Sequence, residues 1–284
     1  MTNRKVVTVG ISGASCSGKT TLVRWLEKIF PNIQTVYQDD FFKPEKEIPI
    51  DPVTKLNNWD CPEAVDFNEF TKVLHQLRTT GTLPSTFQSK ESKNERKDIE
   101  TIELNDLAEE LSKKVKNLLK EKKDDDNDNN DNNDDNHQNH HNHNHNHHNG
   151  DDDDDEWNIL LVDGFLLYVN QDVINELDTK LFVNASYDTL KTRRENRSVY
   201  VTIEGFWVDP PNYFDDIVWP NYAKANKHIL DKLEKGNEKI ENLNSDSIKI
   251  DDLTILESDH PTMISKNVEK VVMMILDHIV NKKK

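Results

Sequence analysis

The most informative residues are 13–20, which read Gly-Ala-Ser-Cys-Ser-Gly-Lys-Thr and fill every fixed position of a phosphate-binding P-loop. A β-branched, apolar run at 6–11 precedes them, as a buried parallel strand requires. Apolar side chains at helical spacing follow in residues 21–30. Because strand, glycine loop and helix occur in this order, the sequence predicts a nucleoside triphosphate site rather than a chance glycine-rich turn.

The residues of this loop have distinct predicted tasks. Gly13 and Gly18 let the backbone turn around an anion, because a side chain at either position would block the turn. The loop amides and the N-terminus of the following helix then point at the phosphates. Lys19 is expected to reach the β- and γ-phosphates, and the Thr20 hydroxyl to ligate Mg²⁺. The predicted nucleotide-binding residues of the loop are Gly13, Ala14, Ser15, Cys16, Ser17, Gly18, Lys19, Thr20 and Thr21.

Acidic residues follow two further predicted strands, and parallel strands bring their carboxyl ends to one edge of a sheet. Asp39 comes after the strand predicted at 33–37, where a carboxylate can accept a hydroxyl proton and help to hold Mg²⁺. The sequence alone does not separate Asp39 from its neighbour Asp40. Asp163 ends an apolar run and is predicted to be a Walker-B carboxylate on the metal side of the loop; a turn-forming Asp-Gly pair is the alternative.

Three arginines, Arg193, Arg194 and Arg197, lie on one short helix predicted over 187–197. Their spacing lets all three share one side of that helix. Phosphoryl transfer needs cations around the transferring group, and arginine supplies fixed donors that stay protonated. A solvated basic face is the alternative interpretation.

Trp59 and Asp60 form an adjacent aromatic and acidic pair in a predicted loop. An aromatic face can stack on a flat ring, and a carboxylate can accept hydrogen bonds from two sugar hydroxyls at once. Taken alone, Trp59 is equally suited to a hydrophobic core.

One tract distorts the composition of the 284-residue chain. Residues 124–156 carry 13 of the acidic residues, 7 of the 11 histidines and no Lys or Arg, so the net charge of -17 becomes -4 without them. The tract has no apolar residue and is predicted to be disordered. Its imidazoles could bind Zn²⁺ or Ni²⁺ loosely, with neutral low-complexity expansion as the simpler interpretation. The remaining chain is not basic, so no nucleic-acid partner is expected.

Other features of the chain point to a reducing compartment. Cys16 and Cys61 form no disulfide framework and no metal-binding spacing. No signal segment and no run of transmembrane length is seen, so no membrane association and a cytoplasmic location are expected.

Predicted strands and helices alternate along the chain, which favours an α/β fold with a parallel sheet and helices on both faces. A single domain is expected from 1–84 and 157–284. A charged helical insertion at 85–123 and the disordered low-complexity tract at 124–156 interrupt it.

Five motifs together resemble the nicotinamide riboside kinases, which are P-loop nucleoside kinases related to the uridine kinases. The resemblance runs from about 5 to 84 and from 157 to 280, and residues 38–44, Gln-Asp-Asp-Phe-Phe-Lys-Pro, are its most specific part. It implies the P-loop kinase fold and transfer of the ATP γ-phosphoryl group to the ribose 5′-hydroxyl of nicotinamide riboside. The motifs lie at 10–22, 38–44, 59–64, 163–168 and 206–215.

The resemblance also implies residue roles. Asp39 would be the proton acceptor and, with Thr20, would lie at Mg²⁺, while Asp60 would hold the ribose hydroxyls. Arg194 would contact the substrate, and Arg193 and Arg197 the nucleotide. Trp59 stands where some members have Tyr, which keeps a flat stacking face. Asp163 stands where some members have Glu, which keeps the charge with a shorter reach. The second stacking aromatic is Tyr200, Phe206 or Trp207.

Two other functions compete with this hypothesis. A uridine or cytidine kinase would use the same ribose contacts, but uracil demands hydrogen bonds where a cationic pyridinium favours an aromatic face. A nucleotide-dependent switch of the GTPase type would carry an Asn-Lys-x-Asp stretch, and the nearest string, at 226–229, lacks the acid. The expected partners are therefore ATP and nicotinamide riboside, and nicotinic acid riboside is a second candidate acceptor.

Overall fold

The computed structural model describes most of the chain outside the Asp/Asn/His-rich tract. The described residues are 5–89, 101–128, 157–196, 200–202, 205–233, 239–245 and 247–281, with the backbone alone at 120–128, 200–202 and 205–207.

Within these residues a main sheet has six strands and a separate hairpin has two. The strands are β1 Val6–Gly13, β2 Ile33–Tyr37, β3 Asn158–Gly164, β4 Thr179–Asn184, β5 Tyr200–Thr202, β6 Gly205–Trp207, β7 Lys239–Asn244 and β8 Lys249–Glu257. The order in the main sheet is β2-β3-β1-β4-β8-β7. All its pairs are parallel except β7 with β8. The predicted parallel α/β sheet is confirmed; the antiparallel strand β7 is an addition that the sequence patterns did not predict.

Helices cover both faces of the sheet, as predicted. The helices in the described ranges are α1 Lys19–Ile29, α2 Phe67–Thr80, α3 Ile102–Asp128, α4 Gln171–Asn175, α5 Tyr187–Glu195, α6 Trp219–Ala225, α7 Lys227–Leu233 and α8 Met263–Asn281. Alternate strand residues serve two hydrophobic cores: Leu160 of β3 faces one and Leu161 the other. The first core lies under α2, α4, α6 and α7, and the second under α1, α3 and α8.

The insertion helix α3 is part of the second core. Leu104, Leu111 and Val115 are buried against α1 and α8, with 1%, 4% and 0% of their surfaces exposed. The helical insertion is predicted to end at residue 123, but the helix continues to Asp128 and so includes the first residues of the acidic tract. The rest of the tract, 129–156, lies outside the described residues.

Two other predicted helices have different limits in the structure. α5 ends at Glu195, short of the predicted limit at 197, and Arg197 lies outside the described residues. The sequence of residues 222–235 predicts a single helix, but the structure has two, α6 and α7, which follow a π-helical turn at Phe214–Val218. The division falls at Asn226, whose side-chain amide donates to the carbonyl of Tyr222 at 3.1 Å. Such a local hydrogen bond competes with continuation of the helix.

In the parts of the chain that the structure describes, no helix combines the length and the apolar character needed to cross a membrane.

Candidate active site

The P-loop joins β1 to α1 at the carboxyl edge of the sheet. Gly13 has φ 148°, and a Cβ there would lie 2.3 Å from the carbonyl oxygen of Val183 on the neighbouring strand. Gly18 has φ 101° and immediately precedes α1. The Nζ of Lys19 donates to the carbonyl of Ala14 at 2.9 Å, across the loop. The predicted loop therefore has positive φ angles at both glycines, a backbone conformation that other residues rarely adopt.

Thr20 and Asp163 are brought together by the parallel pairing of β1 with β3. The Thr20 hydroxyl donates to Oδ2 of Asp163 at 2.8 Å. Both side chains present oxygen, the ligand type that Mg²⁺ prefers, and Mg²⁺ needs few protein ligands because it keeps several waters. The described residues contain no cluster of three His, Cys, Asp or Glu side chains placed to hold a metal. The predicted pair thus fits the donor chemistry of a magnesium site.

Asp39 lies on a 3₁₀ turn, Gln38–Phe41, that directly follows β2. Its side chain is exposed, whereas Gln38 beside it is fully buried. Oε1 of Gln38 accepts from the backbone N–H groups of Phe165 and Leu166, at 3.0 and 2.9 Å. These two hydrogen bonds join the ends of β2 and β3, and they fix the position of Asp39 relative to Asp163.

Asp60 is buried, with 6% of its surface exposed. Burial raises the pKa of Asp60 from its ordinary value of 3.8 to about 6. This pKa also reflects the nearby charges: Arg194 and Lys19 lower it, and Asp209 and Asp39 raise it. The structure thus places Asp60 within electrostatic reach of the predicted base and of the P-loop lysine.

Arg194 is shared between two acids. Its Nε and Nη2 donate to the Asp209 carboxylate at 2.6 and 3.1 Å, while Nη1 lies 3.8 Å from Oδ1 of Asp60. Arg194 is almost fully buried, and its guanidinium also lies 5.8 Å from the centre of the Tyr213 ring. A buried guanidinium with such partners has a fixed orientation.

Arg193 does not share the environment of Arg194. It donates to the carbonyl of Cys16 in the P-loop at 3.4 Å and to the carbonyl of Ser258 at 2.6 Å. The prediction that the arginines share one side of the helix is wrong for these two, because adjacent helical residues point about 100° apart. One arginine is directed to the nucleotide loop and the other to the acids Asp60 and Asp209.

Trp59 is half-buried, and its ring meets Phe42 edge to face, with centroids 5.4 Å apart and an interplanar angle of 89°. The backbone N–H of Trp59 donates to the Tyr213 hydroxyl at 3.4 Å. That hydroxyl in turn donates to the carbonyl of Asn57 at 2.7 Å. Tyr213 therefore holds the loop that carries both Trp59 and Asp60.

Asp209 and Tyr213 are site residues to which the sequence motifs assigned no individual role. Both belong to the motif at 206–215, so a signal was present, but only the fold reveals that they support Arg194 and Trp59. Arg197 lies outside the described residues, as do the side chains of Tyr200, Phe206 and Trp207. The backbone pairs Tyr200 with Trp207 across the β5–β6 hairpin.

A P-loop after the central strand, a carboxylate from β3 on its threonine and a six-stranded, mostly parallel sheet define a P-loop nucleotide-binding fold, the class to which the P-loop kinases belong. No family model matches the chain. The nicotinamide riboside kinase of Schizosaccharomyces pombe is 35% identical over 227 residues, which cover 80% of this chain and 82% of the relative. The nicotinamide riboside kinase of Saccharomyces cerevisiae is 31% identical, over 81% of each chain. Nicotinamide riboside kinase 1 of Homo sapiens is 26% identical, over 80% of each chain. The chain belongs to the nicotinamide riboside kinase family.

Proposed function

We propose that the chain transfers the γ-phosphoryl group of ATP to the 5′-hydroxyl of nicotinamide riboside, giving nicotinamide mononucleotide and ADP. One observation carries the proposal: the P-loop, Asp39 and the Asp60–Arg194 pair meet at one edge of the sheet. Family membership supports the same acceptor.

The nucleotide half of the site is built from the P-loop. Its amides and Lys19 bind the phosphates, and Lys19 exchanges the Ala14 carbonyl for phosphate oxygens when ATP enters. Thr20, Asp163 and Asp39 are the residues that would hold Mg²⁺. The ion supplies neutralisation of phosphate charge when it is bound.

The acceptor half is built from the loop at 57–60 and from α5. Asp60 accepts hydrogen bonds from the ribose hydroxyls, and Arg194 donates to the same sugar. Asp39 takes the proton of the 5′-hydroxyl. The oxygen of that hydroxyl forms the new bond to the γ-phosphorus, and the bond between the γ-phosphorus and the β-phosphate oxygen breaks. These roles require only that the 5′-hydroxyl lie between Asp39 and the γ-phosphate.

The aromatic ring of Trp59 favours a cationic base over a neutral one. A pyridinium ring gains a cation–π attraction of about 0.5–2 kcal/mol on an aromatic face in addition to stacking. The edge contact with Phe42 fixes the orientation of the indole. A uracil ring would require hydrogen-bond partners instead.

A coupled ADP-release assay tests the acceptor. We expect kcat/KM to be highest for nicotinamide riboside in a panel with nicotinic acid riboside, uridine, cytidine and pantothenate. Trp59→Ala is expected to raise the KM for nicotinamide riboside by about tenfold, and Trp59→Tyr to change it little, because Tyr keeps a flat face.

Two outcomes would contradict the proposal. A higher kcat/KM for uridine would make the chain a pyrimidine nucleoside kinase. Equal loss in Trp59→Ala and Trp59→Tyr would show that Trp59 serves packing against Phe42 rather than stacking on the substrate.

A further inference from the structure

The residue that follows β8, Ser258, is bound directly to the P-loop. Its hydroxyl donates to the carbonyl of Ser17 at 2.6 Å. Its own N–H donates to the carbonyl of Asn184, at the end of β4, at 2.8 Å. Its carbonyl accepts from Nη2 of Arg193 at 2.6 Å. Ser258 therefore connects the phosphate loop to the sheet and to α5 through three separate atoms.

The hydrogen bond to Ser17 fixes one peptide plane of the loop. In a trans peptide the carbonyl of one residue and the N–H of the next point in opposite directions. With the Ser17 carbonyl turned to Ser258, the N–H of Gly18 points away from Ser258. Gly18 has a positive φ of 101°, and glycine gives a peptide more than one accessible orientation. The 2.6 Å hydrogen bond selects one of them.

The neighbouring peptide is held from the same side. Nη1 of Arg193 donates to the carbonyl of Cys16 at 3.4 Å. Arg193 is itself held by the carbonyls of Ser258 and Asp259. Two successive carbonyls of the P-loop are therefore bound on one side, by a serine and an arginine that also bind each other.

The next residue extends these contacts to the start of α5. Oδ1 of Asp259 accepts from the N–H and the hydroxyl of Ser186, at 2.8 and 2.7 Å. Ser186 is the N-cap of α5, the helix that carries Arg193. The segment Ser258–Asp259 thus fixes α5 at its first turn and, through Arg193, near its end.

We propose that Ser258 is a positioning residue for nucleotide binding, whose hydroxyl holds the Ser17–Gly18 peptide in the orientation that binds phosphate. A binding loop that is already ordered loses less conformational entropy when the ligand arrives. The proposal rests on the proposed use of the P-loop as the ATP site, and it concerns a side chain whose hydroxyl is bound to the backbone of that loop.

The test compares three variants. Ser258→Ala removes the hydroxyl, Ser258→Thr keeps it, and Ser245→Ala is the matched control. The Ser245 hydroxyl also donates to a backbone carbonyl, that of Ile248 at 3.4 Å, but at the far end of β8. The measurements are the Kd for MgATP by calorimetry without riboside, the KM for each substrate, kcat and Tm.

Ser258→Ala is expected to raise the Kd and KM for ATP by about five- to tenfold, which lies within the range for one lost hydrogen bond. The riboside KM, kcat and Tm should stay close to the parent values. Ser258→Thr should restore ATP binding to within about twofold, and Ser245→Ala should leave the Kd and KM for ATP unchanged.

Three results would overturn the proposal: unchanged ATP binding in Ser258→Ala, a parallel loss in both KM values and in Tm, or a Ser258→Thr variant as weak as Ser258→Ala. The calorimetric arm is independent of the acceptor. An error in the acceptor assignment would appear only in the riboside assay of the parent protein and would leave the ATP affinities of the Ser258 variants unchanged.

Discussion

Arg194 binds Asp209 more closely than it binds Asp60: the nearest distances are 2.6 Å and 3.8 Å. Asp209 is therefore the counter-ion that keeps the buried guanidinium in place. The carboxylate of Asp60 remains able to accept hydrogen bonds from a substrate. Within the motif at 206–215, Asp209 orients Arg194, and Tyr213 binds the loop that carries Trp59.

Asp209→Asn is expected to weaken riboside binding. The amide keeps the shape of the side chain but removes the charge that orients Arg194, and hydrogen bonds between charged groups are worth about 1.5–3 kcal/mol. We expect the KM for nicotinamide riboside to rise by about tenfold or more, with little change in the KM for ATP.

The control for this prediction is Asp231→Asn. Asp231 also pairs with a cation, Lys227, at 2.6 Å, but both side chains are more than half exposed. Exposed pairs of this kind contribute little. Equal kinetics in the two variants would show that Asp209 does not act through Arg194.

Asp60 is expected to lower the free energy of unfolding at neutral pH, although the proposed function needs it to bind the ribose hydroxyls. Its pKa in the folded protein, about 6, lies above its ordinary value of 3.8 because of burial. A raised pKa means that the folded state binds the proton more tightly, so the contribution of Asp60 to the free energy of unfolding is greatest below pH 3.8 and falls as the pH rises to about 6. The loss approaches about 3 kcal/mol, since one pKa unit corresponds to 1.36 kcal/mol.

Asp60→Asn should therefore raise Tm at pH 7.5 and remove activity on every riboside. Arg194 retains Asp209 in this variant, so no buried cation is left unpaired. The difference in Tm between the two proteins should shrink as the pH is lowered toward 4. Thermal unfolding monitored by circular dichroism at pH 4.5, 6 and 7.5 measures it, and a lower Tm for Asp60→Asn at pH 7.5 would contradict the argument.

The P-loop and the strand-end acids could be predicted from sequence because their signals are local. Gly13, Lys19 and Thr20 lie within one eight-residue pattern, and Asp163 follows an apolar strand. The fold brings these residues together simply because parallel strands share a carboxyl edge.

The support of the site could not be predicted in the same way, because it depends on long-range contacts. Asp209 is 15 residues from Arg194, Tyr213 is 156 residues from Asn57, and Ser258 is 241 residues from Ser17. Nothing in the local sequence of Asp209 or Ser258 indicates these partners. The divergence of Arg193 from Arg194 likewise follows from where the P-loop and Asp60 lie relative to α5.

The two parts of the insertion should differ in their effect on stability. Leu111 of α3 is buried in the second core, and Leu→Ala changes at such positions cost about 2–5 kcal/mol. Leu111→Ala should therefore lower Tm by several degrees. Deletion of 129–155, which contain no apolar residue, should leave Tm and kcat near the parent values. A large fall in Tm on deletion would show that the tract packs against the domain.

Asp39 is expected to carry the proton transfer, and the neighbouring Asp40 offers the matched comparison. Asp39 is exposed on the 3₁₀ turn after β2, and its charge acts on Asp60 across the site, whereas Asp40 is partly buried. Asp39→Ala should reduce kcat by about 10²–10⁴, the usual contribution of a positioned general base. ATP should still bind, because Lys19 and the loop amides are unchanged. Asp40→Ala should retain most of kcat.

The check is single-turnover phosphorylation of nicotinamide riboside, with ATP binding measured separately by calorimetry. Loss of the chemical step in Asp40→Ala with turnover kept in Asp39→Ala would assign the base to the adjacent residue. Loss of ATP binding in Asp39→Ala would show that the main role of Asp39 is at the metal ion rather than in proton transfer.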